Sequence, residues 1–182
     1  MAATEKKNMW FFSSDDGVAP RLVTRKIAAS QGIFMPGAPC YMSEDGTVKL
    51  CDTSDGTDAW HGFIVGLSNS DTVWPITAEL AVNTEVKVAM IDTSHLYAVY
   101  TENAGSDAAV AQTDVGIKYG LVVSATAGEV GYTTLNIAET TQDTVTIENT
   151  MWNVEPLRHA AADNPGIALV RFLAAVITAQ KA

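Results

Sequence analysis

Short segments rich in valine, isoleucine, threonine and aromatic residues, each ended by glycine, aspartate, asparagine or proline, fill most of the chain. Such segments favour half-buried β-strands. The predicted strands are residues 21–28, 33–35, 39–42, 47–51, 60–67, 85–91, 96–100, 117–124, 132–137, 144–148, 152–155 and 168–177. The clearest alternation is in TEVKVAMI, where Val86, Val88 and Met90 share one face. Many short strands at close spacing predict an all-β fold, a small β-barrel or β-tulip-like sandwich.

Evidence for helix is thin. The segment VEPLRHAAADNPG, residues 154–166, has room for one or two helical turns before its Asn-Pro-Gly stop. The final ALVRFLAAVITAQ is long enough for a helix, but its valine, isoleucine and phenylalanine favour a last strand. Residues 102–114, ENAGSDAAVAQTD, are predicted to form a loop of small residues.

The first 20 residues differ from the rest of the chain. They begin polar and charged and then place Met9, Trp10, Phe11 and Phe12 in a row. Neighbouring residues of a strand point to opposite faces, so these four cannot all face one core. One interpretation is an extended N-terminal arm, residues 1–20, that contacts a partner through these four side chains. The other is a first strand buried on both faces. Residues 21–182 then form a single barrel or sandwich domain.

The segment CYMSEDGTVKLC, residues 40–51, holds both cysteines of the chain. Asp45-Gly46 favours a two-residue hairpin turn, because such turns need positive φ at both central positions. That turn would set Cys40 directly opposite Cys51, with Cα atoms ~5.5 Å apart. Because a reducing cytoplasm keeps thiols free, we predict two free thiols in contact that behave as small hydrophobic groups.

The sequence contains no recognisable metal-binding, redox or catalytic motif. Zinc needs about four ligands, and His61 is the nearest histidine to the only cysteine pair. The aspartates of DTSDGTD, residues 52–58, do not have the spacing of a calcium-binding EF-hand loop. Neither a nucleophile elbow, a P-loop, a zinc-protease motif nor a dinucleotide fingerprint is present. We therefore expect no cofactor, no metal site and no enzymatic activity.

The net charge of the chain argues against some classes of binding partner. The net charge is -10 and the chain has no basic run, which disfavours nucleic acids and anionic membrane surfaces. The N-terminus has no apolar stretch of signal-peptide length, which favours synthesis in a cytoplasm. Charged residues make up only 18% of the chain, so its surface is poor in charge and suits extensive contact with a partner.

Two stretches of the sequence resemble the head decoration, or cement, proteins of tailed bacteriophages. The first is IFMPGAPCYMSEDGTVKLCDT followed by AWHGFIVGLS. Its matching residues are Gly37, Pro39, Tyr41, Asp45, Gly46, Val48, Lys49, Gly62, Phe63, Ile64, Val65 and Gly66. The second is VGIKYGLVVSATAGEVGYTTLNIAETTQDTVTIEN, although Val115 and Gly116 are shifted from the usual pattern and Asn136 replaces a common aspartate. Together the resemblance covers residues 32–150.

This resemblance implies a β-barrel or β-tulip module on the outer surface of an assembled capsid. Such a protein binds the major capsid protein, bridges its neighbouring subunits, and commonly forms homotrimers, sometimes dimers. Two alternatives stay open. One is another virion β-protein, such as a head-fibre base or a tail component. The other is a carbohydrate-binding β-sandwich that uses exposed aromatics such as Trp60 and Trp74 as stacking platforms.

Overall fold

The protein is an all-β structure with very little helix, as the sequence predicts. The computed structural model describes residues 8–51, 60–68, 78–124, 132–139, 141 and 143–177. Its strands are β1 (Trp10–Ser14), β2 (Leu22–Lys26), β3 (Ala38–Met42), β4 (Val48–Leu50), β5 (Trp60–Leu67), β6 (Glu85–Met90), β7 (His95–Asn103), β8 (Ser106–Asp107), β9 (Lys118–Val123), β10 (Thr133–Asn136), β11 (Val145–Thr150) and β12 (Ile167–Phe172). Two short helices, α1 (Met151–Val154) and α2 (Ala174–Ile177), lie on either side of β12.

Five of these strands close into a barrel. Their order is β7-β10-β9-β11-β12, and β12 pairs back onto β7 to complete the ring. All neighbours are antiparallel except β10 and β7, which run parallel. The interior is filled by apolar side chains from every strand, including Val99, Leu135, Ile147 and Val170, each fully buried. Closure leaves no free edge within the ring.

The first strand extends this sheet outside the ring. Strand β1 pairs antiparallel with the beginning of β7, and β10 pairs with the end of β7. Both lie on the same edge of β7, since β12 occupies the opposite edge at Tyr97, Ala98 and Tyr100. Residues 10–14 are therefore a strand of this sheet. Its residues are exposed or half-buried, so it is not a strand buried on both faces.

Strand β8 pairs with the end of β7, and the other five strands form a second, antiparallel sheet in the order β2-β6-β5-β3-β4. A bridge between Ile27 and Val48 links its two ends and curls the sheet around a core of its own. The predicted alternation in β6 is confirmed for Val86 and Val88, which are fully buried in that core, while Lys87 faces outward. Phe34, which is 1% exposed, packs at the centre of this core.

The hairpin between β3 and β4 has a different register from the predicted one. Cys40 pairs with Leu50 and Met42 with Val48. The Ser43 amide donates to the Thr47 carbonyl, so the loop, residues 44–46, has three residues rather than two. The amide of Gly46 donates to the Ser43 carbonyl, and Gly46 has φ +80°, as in a type I turn followed by a bulge. Neither cysteine is in a disulfide, as predicted, but the two are not opposite each other. Cys40 packs in the second core and Cys51 in the barrel core.

Three predicted strands are wrong in whole or in part. Residues 33–35 form no strand, because Phe34 turns into the second core instead of pairing. Residues 151–154 form α1, which lets the chain leave β11 while Met151 stays buried. The last strand ends at Phe172, and α2 then folds back so that Val176 and Ile177 pack against the barrel core. Tertiary packing overrides the strand propensity of these two β-branched residues.

Candidate functional site

The four apolar residues at the start of the chain divide between two sides of β1. Met9 is 4% exposed and belongs to the barrel core, and Phe11 packs against the same core. The ring of Phe11 lies 5.4 Å from the ring of His95 and 6.2 Å from that of Tyr97, both edge-to-face. These two side chains therefore stabilise the chain's own fold.

The other two residues lie on the outside of the barrel. Phe12 packs against an exterior cluster that includes Ala98, Met151 and Leu169. Trp10 is 37% exposed, and its ring lies 5.7 Å from the ring of Tyr100. We call Trp10, Phe12 and Tyr100 the outer patch. Contact between residues 9–12 and a partner stays a prediction. Within that segment, Trp10 has the most exposed side chain.

An apolar groove runs between β1 and the second sheet. Its volume is about 280 Å³, and its lining is Met9, Trp10, Phe11, Pro20, Pro36, Gly37, Phe63, Val65, Ala89 and Tyr97. Asn8 fixes one end of it by donating a side-chain hydrogen bond to the Pro36 carbonyl. Val65 is 42% exposed because β5 bulges there, between the Ile64–Val88 and Gly66–Lys87 pairs. The groove therefore has an aromatic floor and an apolar rim open to solvent.

Basic side chains flank this groove on the second sheet. Arg21 follows Pro20 directly, and Lys87 lies on the same face of β6 as Ala89. Both are exposed, and neither has a carboxylate within 4.0 Å among the described residues. In a chain of net charge -10, this face is locally cationic and open to an acidic group of a partner.

The far end of β1 is fastened to the barrel by one arginine. Arg171 of β12 donates to the Asp15 carboxylate at 3.0 Å and to the Thr93 carbonyl at 2.7 Å. Its guanidinium also lies 3.8 Å from the carboxylate of Glu148. Together with the buried Met9, these bonds hold β1 at both ends and fix the position of Trp10 between them.

The buried polar groups of the second sheet are held in neutral forms. Burial raises the pKa of the Cys40 thiol to about 12, and its Sγ donates to the Gly62 carbonyl at 3.4 Å. Burial, and then the nearby charge of Arg25, lower the pKa of His61. The Arg25 Nε donates to His61 Nε2 at 3.4 Å, which requires that this nitrogen be an acceptor. Near neutral pH, Cys40 is thus a thiol rather than a nucleophilic thiolate.

Two other features of the sequence can be compared with the structure. Trp60 is only 2% exposed and packs against Phe63 and Phe172, so it cannot serve as a sugar-stacking platform. Trp74 and the aspartate-rich residues 52–58 lie outside the described residues. Among the residues that the structure describes, no three His, Cys, Asp or Glu side chains are grouped closely enough to hold a metal ion.

The sequence predicted the segment at residues 9–12 but not its surroundings. Tyr100 of the outer patch, and Val65, Pro20 and Pro36 of the groove, come from distant parts of the chain. A pattern of strand residues cannot identify them, because their proximity depends on where β1, at the edge of the barrel sheet, lies relative to the second sheet. The bulge at Val65 also has no sequence signal beyond the glycine that follows it.

Comparison with known proteins does not assign the chain to a family. No protein-family model matches it, and a search of the curated proteins finds no relative. Within the described part of the chain, no helix is both long and apolar enough to cross a membrane.

Proposed function

We propose that the protein is a virion structural protein, a capsid decoration protein of a tailed bacteriophage. It is made in the host cytoplasm and binds the outer surface of the assembled capsid. There it bridges neighbouring subunits of the major capsid protein, as a homo-oligomer and most readily as a homotrimer. It works by shape and contact area and uses no cofactor.

The observation that carries this proposal is the outer patch on a rigid closed barrel. An aromatic side chain such as Trp10, held at the surface by Tyr100 on one side and by a fastened strand on the other, is a typical interface anchor. Because the strand is already ordered, binding costs little additional conformational entropy. A partner surface of roughly 800 Å² per side would be a standard interface.

The sequence resemblance and the charge agree with this function. The first stretch that carries the resemblance includes β3, the hairpin loop, β4 and β5 of the second sheet, and the second stretch includes β9 and β10 of the barrel. The net charge of -10 keeps many copies soluble before they bind. A module that binds only the closed shell stabilises that shell by its binding free energy, and repetition over many sites multiplies the effect.

The test uses capsids of the phage from which the gene comes, stripped of this protein. Purified wild-type protein should sediment with them, and electron microscopy should show hundreds of copies on the outer surface. The variant Trp10→Ala should bind at least tenfold more weakly, since truncation of an interface anchor costs 1.4 kcal/mol or more. Ile117→Ala is the matched control, because Ile117 is 41% exposed and lies outside the outer patch.

Two results would overturn the proposal. One is the absence of wild-type protein from the capsid pellet. The other is a location at a single vertex or on the tail, which would instead identify a head-fibre base or tail component.

A further inference from the structure

A single leucine projects from the surface at the turn after α1. Leu157 is 100% exposed, and Val154 beside it is 41% exposed. Backbone hydrogen bonds order the turn: the Glu155 amide donates to Met151, and the amides of Arg158 and His159 both donate to the Glu155 carbonyl. We call Val154, Glu155 and Leu157 the knob. An ordered turn that presents a fully exposed leucine is well suited to insertion into a pocket on another molecule.

The groove beside β1 fits the knob in size and polarity. An apolar cavity of ~150 Å³ is enough for a benzene-sized group. The groove volume of about 280 Å³ therefore has room for the Leu157 side chain and part of Val154. Its rim residue Val65 and its aromatic floor of Phe63 and Tyr97 offer the apolar contacts that a leucine needs.

The charges around the two surfaces are also complementary. The knob carries Glu155, and Asp163 lies at the end of the same turn region. The groove is flanked by Arg21 and Lys87, which have no acidic partner among the described residues. Arg158, which follows the knob, lies 3.7 Å from Glu155 and offsets part of its charge. Two chains of net charge -10 repel each other overall, so a contact between copies needs such a local match.

The knob and the groove belong to different sides of the molecule. The helix that precedes the knob packs through Met151 on the exterior of the barrel, against the same cluster as Phe12. The groove lies toward the second sheet, beside Met9 and Phe11, and shares only Trp10 with the outer patch. The knob of a chain therefore does not fill its own groove, and a second copy can supply the occupant.

We infer that the knob of one copy inserts into the groove of another, so that copies of the chain associate head to tail. This inference names the surfaces behind the self-association that is part of the proposed function, and it rests on that part of the proposal. A contact between two different surfaces is heterologous, so it closes into a ring when the rotation between copies permits and otherwise continues as a filament. A closed three-membered ring would be the homotrimer.

The test is the mass of the purified protein in solution, measured by sedimentation velocity over a range of concentrations without capsids. Wild-type protein should form an oligomer. Leu157→Asp and Val65→Asp should each raise the Kd for self-association roughly 30-fold or more, the lower bound for a hot-spot residue. Both side chains are exposed, so the fold should tolerate these changes. Val82→Asp is the matched control, since Val82 is 55% exposed and lies in neither surface.

A charge reversal tests the orientation of the contact. Lys87→Glu and Glu155→Lys should each weaken self-association, and the double variant should recover part of it, because every contact then regains opposite charges. If the contact does not bring Lys87 close to Glu155, the double variant should not recover self-association, and this result would contradict the proposed orientation. A wild-type monomer, or an oligomer that Leu157→Asp leaves intact, would overturn the inference.

Capsid binding, measured on the same variants, separates this inference from the proposed function. A wild-type monomer whose binding to capsids is abolished by Val65→Asp would mean that the groove receives the capsid protein, which refutes head-to-tail association and leaves the decoration function standing. A wild-type oligomer that Leu157→Asp dissociates, but that ignores capsids, would support the inference and overturn capsid decoration.

Discussion

The barrel and the second sheet bury their strands in different ways. The barrel is closed by continuous pairing between β7 and β12, and its core is rich in aromatic residues. The second sheet is closed by a bridge between Ile27 and Val48, and among the described residues Phe34 is the one aromatic side chain in its core. The second sheet also lends Trp60 and Phe63 to the barrel core. The second sheet, which is closed by one bridge, is therefore also held by the side chains that it shares with the barrel core.

The sharing explains the different sequence patterns of two neighbouring strands. β6 has Val86 and Val88 toward one core and Lys87 toward solvent, so it alternates. β5 sends Phe63 to the barrel core and Ile64 to the second core, so it reads as a continuous apolar run. A strand between two cores needs apolar residues on both faces. The groove opens where this two-sided burial ends, at Val65.

The largest expected effect is at the joint between the two cores. Phe172 lies with its ring 5.4 Å from Trp60 and 5.5 Å from Tyr97, and it is 2% exposed. Phe172→Ala should lower the free energy of unfolding by about 3–5 kcal/mol, because it leaves a cavity between both regions. Urea unfolding, followed by tryptophan fluorescence and by circular dichroism, measures this. Val82→Ala, at a 55% exposed site that belongs to neither the knob nor the groove, is the control and should change stability by under ~0.5 kcal/mol.

The same experiment tests whether the two regions unfold together. If the cores are one cooperative unit, both probes should give a single coincident transition. Two separated transitions in the wild-type protein would contradict the shared core.

The next effect concerns the close approach of β5 and β6. A Cβ added to Gly62 would lie 2.3 Å from the Ala89 carbonyl oxygen and 2.6 Å from Val88 Cγ1. Gly62→Ala should therefore cost about 1–3 kcal/mol through overpacking. Gly66→Ala in the same strand is the matched control, since nothing lies within 4 Å of the added atom. Thermal unfolding of both variants measures the difference. Equal melting temperatures would show that the two strands are further apart at Gly62.

A smaller effect depends on pH and belongs to the second sheet alone. The pKa of His61 is lowered by burial from its ordinary value of 6.5, so the unfolded chain takes up this proton before the folded one does. Stability should therefore fall as the pH drops below about 6.5 toward the folded-state pKa. His61→Gln should flatten this dependence between pH 7.5 and 5 in melting curves. A wild-type curve as steep as that of the variant would mean that His61 is not the titrating group.

The smallest effect on stability is expected from a variant that tests the hairpin register. The pair Cys40–Leu50 is not hydrogen-bonded, because the Cys51 amide donates to Pro39 at the neighbouring pair. Such pairs have Cα atoms ~4.5 Å apart, which permits a disulfide. Leu50→Cys should therefore crosslink with Cys40 on oxidation, and mass spectrometry of the peptides should identify the bond. A bond between Cys40 and Cys51 instead would restore the two-residue turn.

Local chemistry was enough to predict several elements closely. The strand at Trp60–Leu67 was placed within its observed bounds, and Glu85–Met90 to within one residue, because their composition and spacing already favour a pleated strand. The candidate site was predicted only in part. The apolar run at residues 9–12 was identified, but its division between core and outer patch was not, because a single strand does not reveal what lies on each side of it.

The sequence by itself determined an all-β chain and the position of the hairpin turn at Asp45-Gly46. Only the tertiary structure decided the register of that hairpin. Gly46 satisfies either a two-residue or a three-residue loop, but only the longer loop places Val48 on the same face as Cys40 and Met42, against the second core. Likewise, only the position of β1 beside the second sheet created the groove. Burial of side chains from distant strands, which no local pattern contains, made both choices.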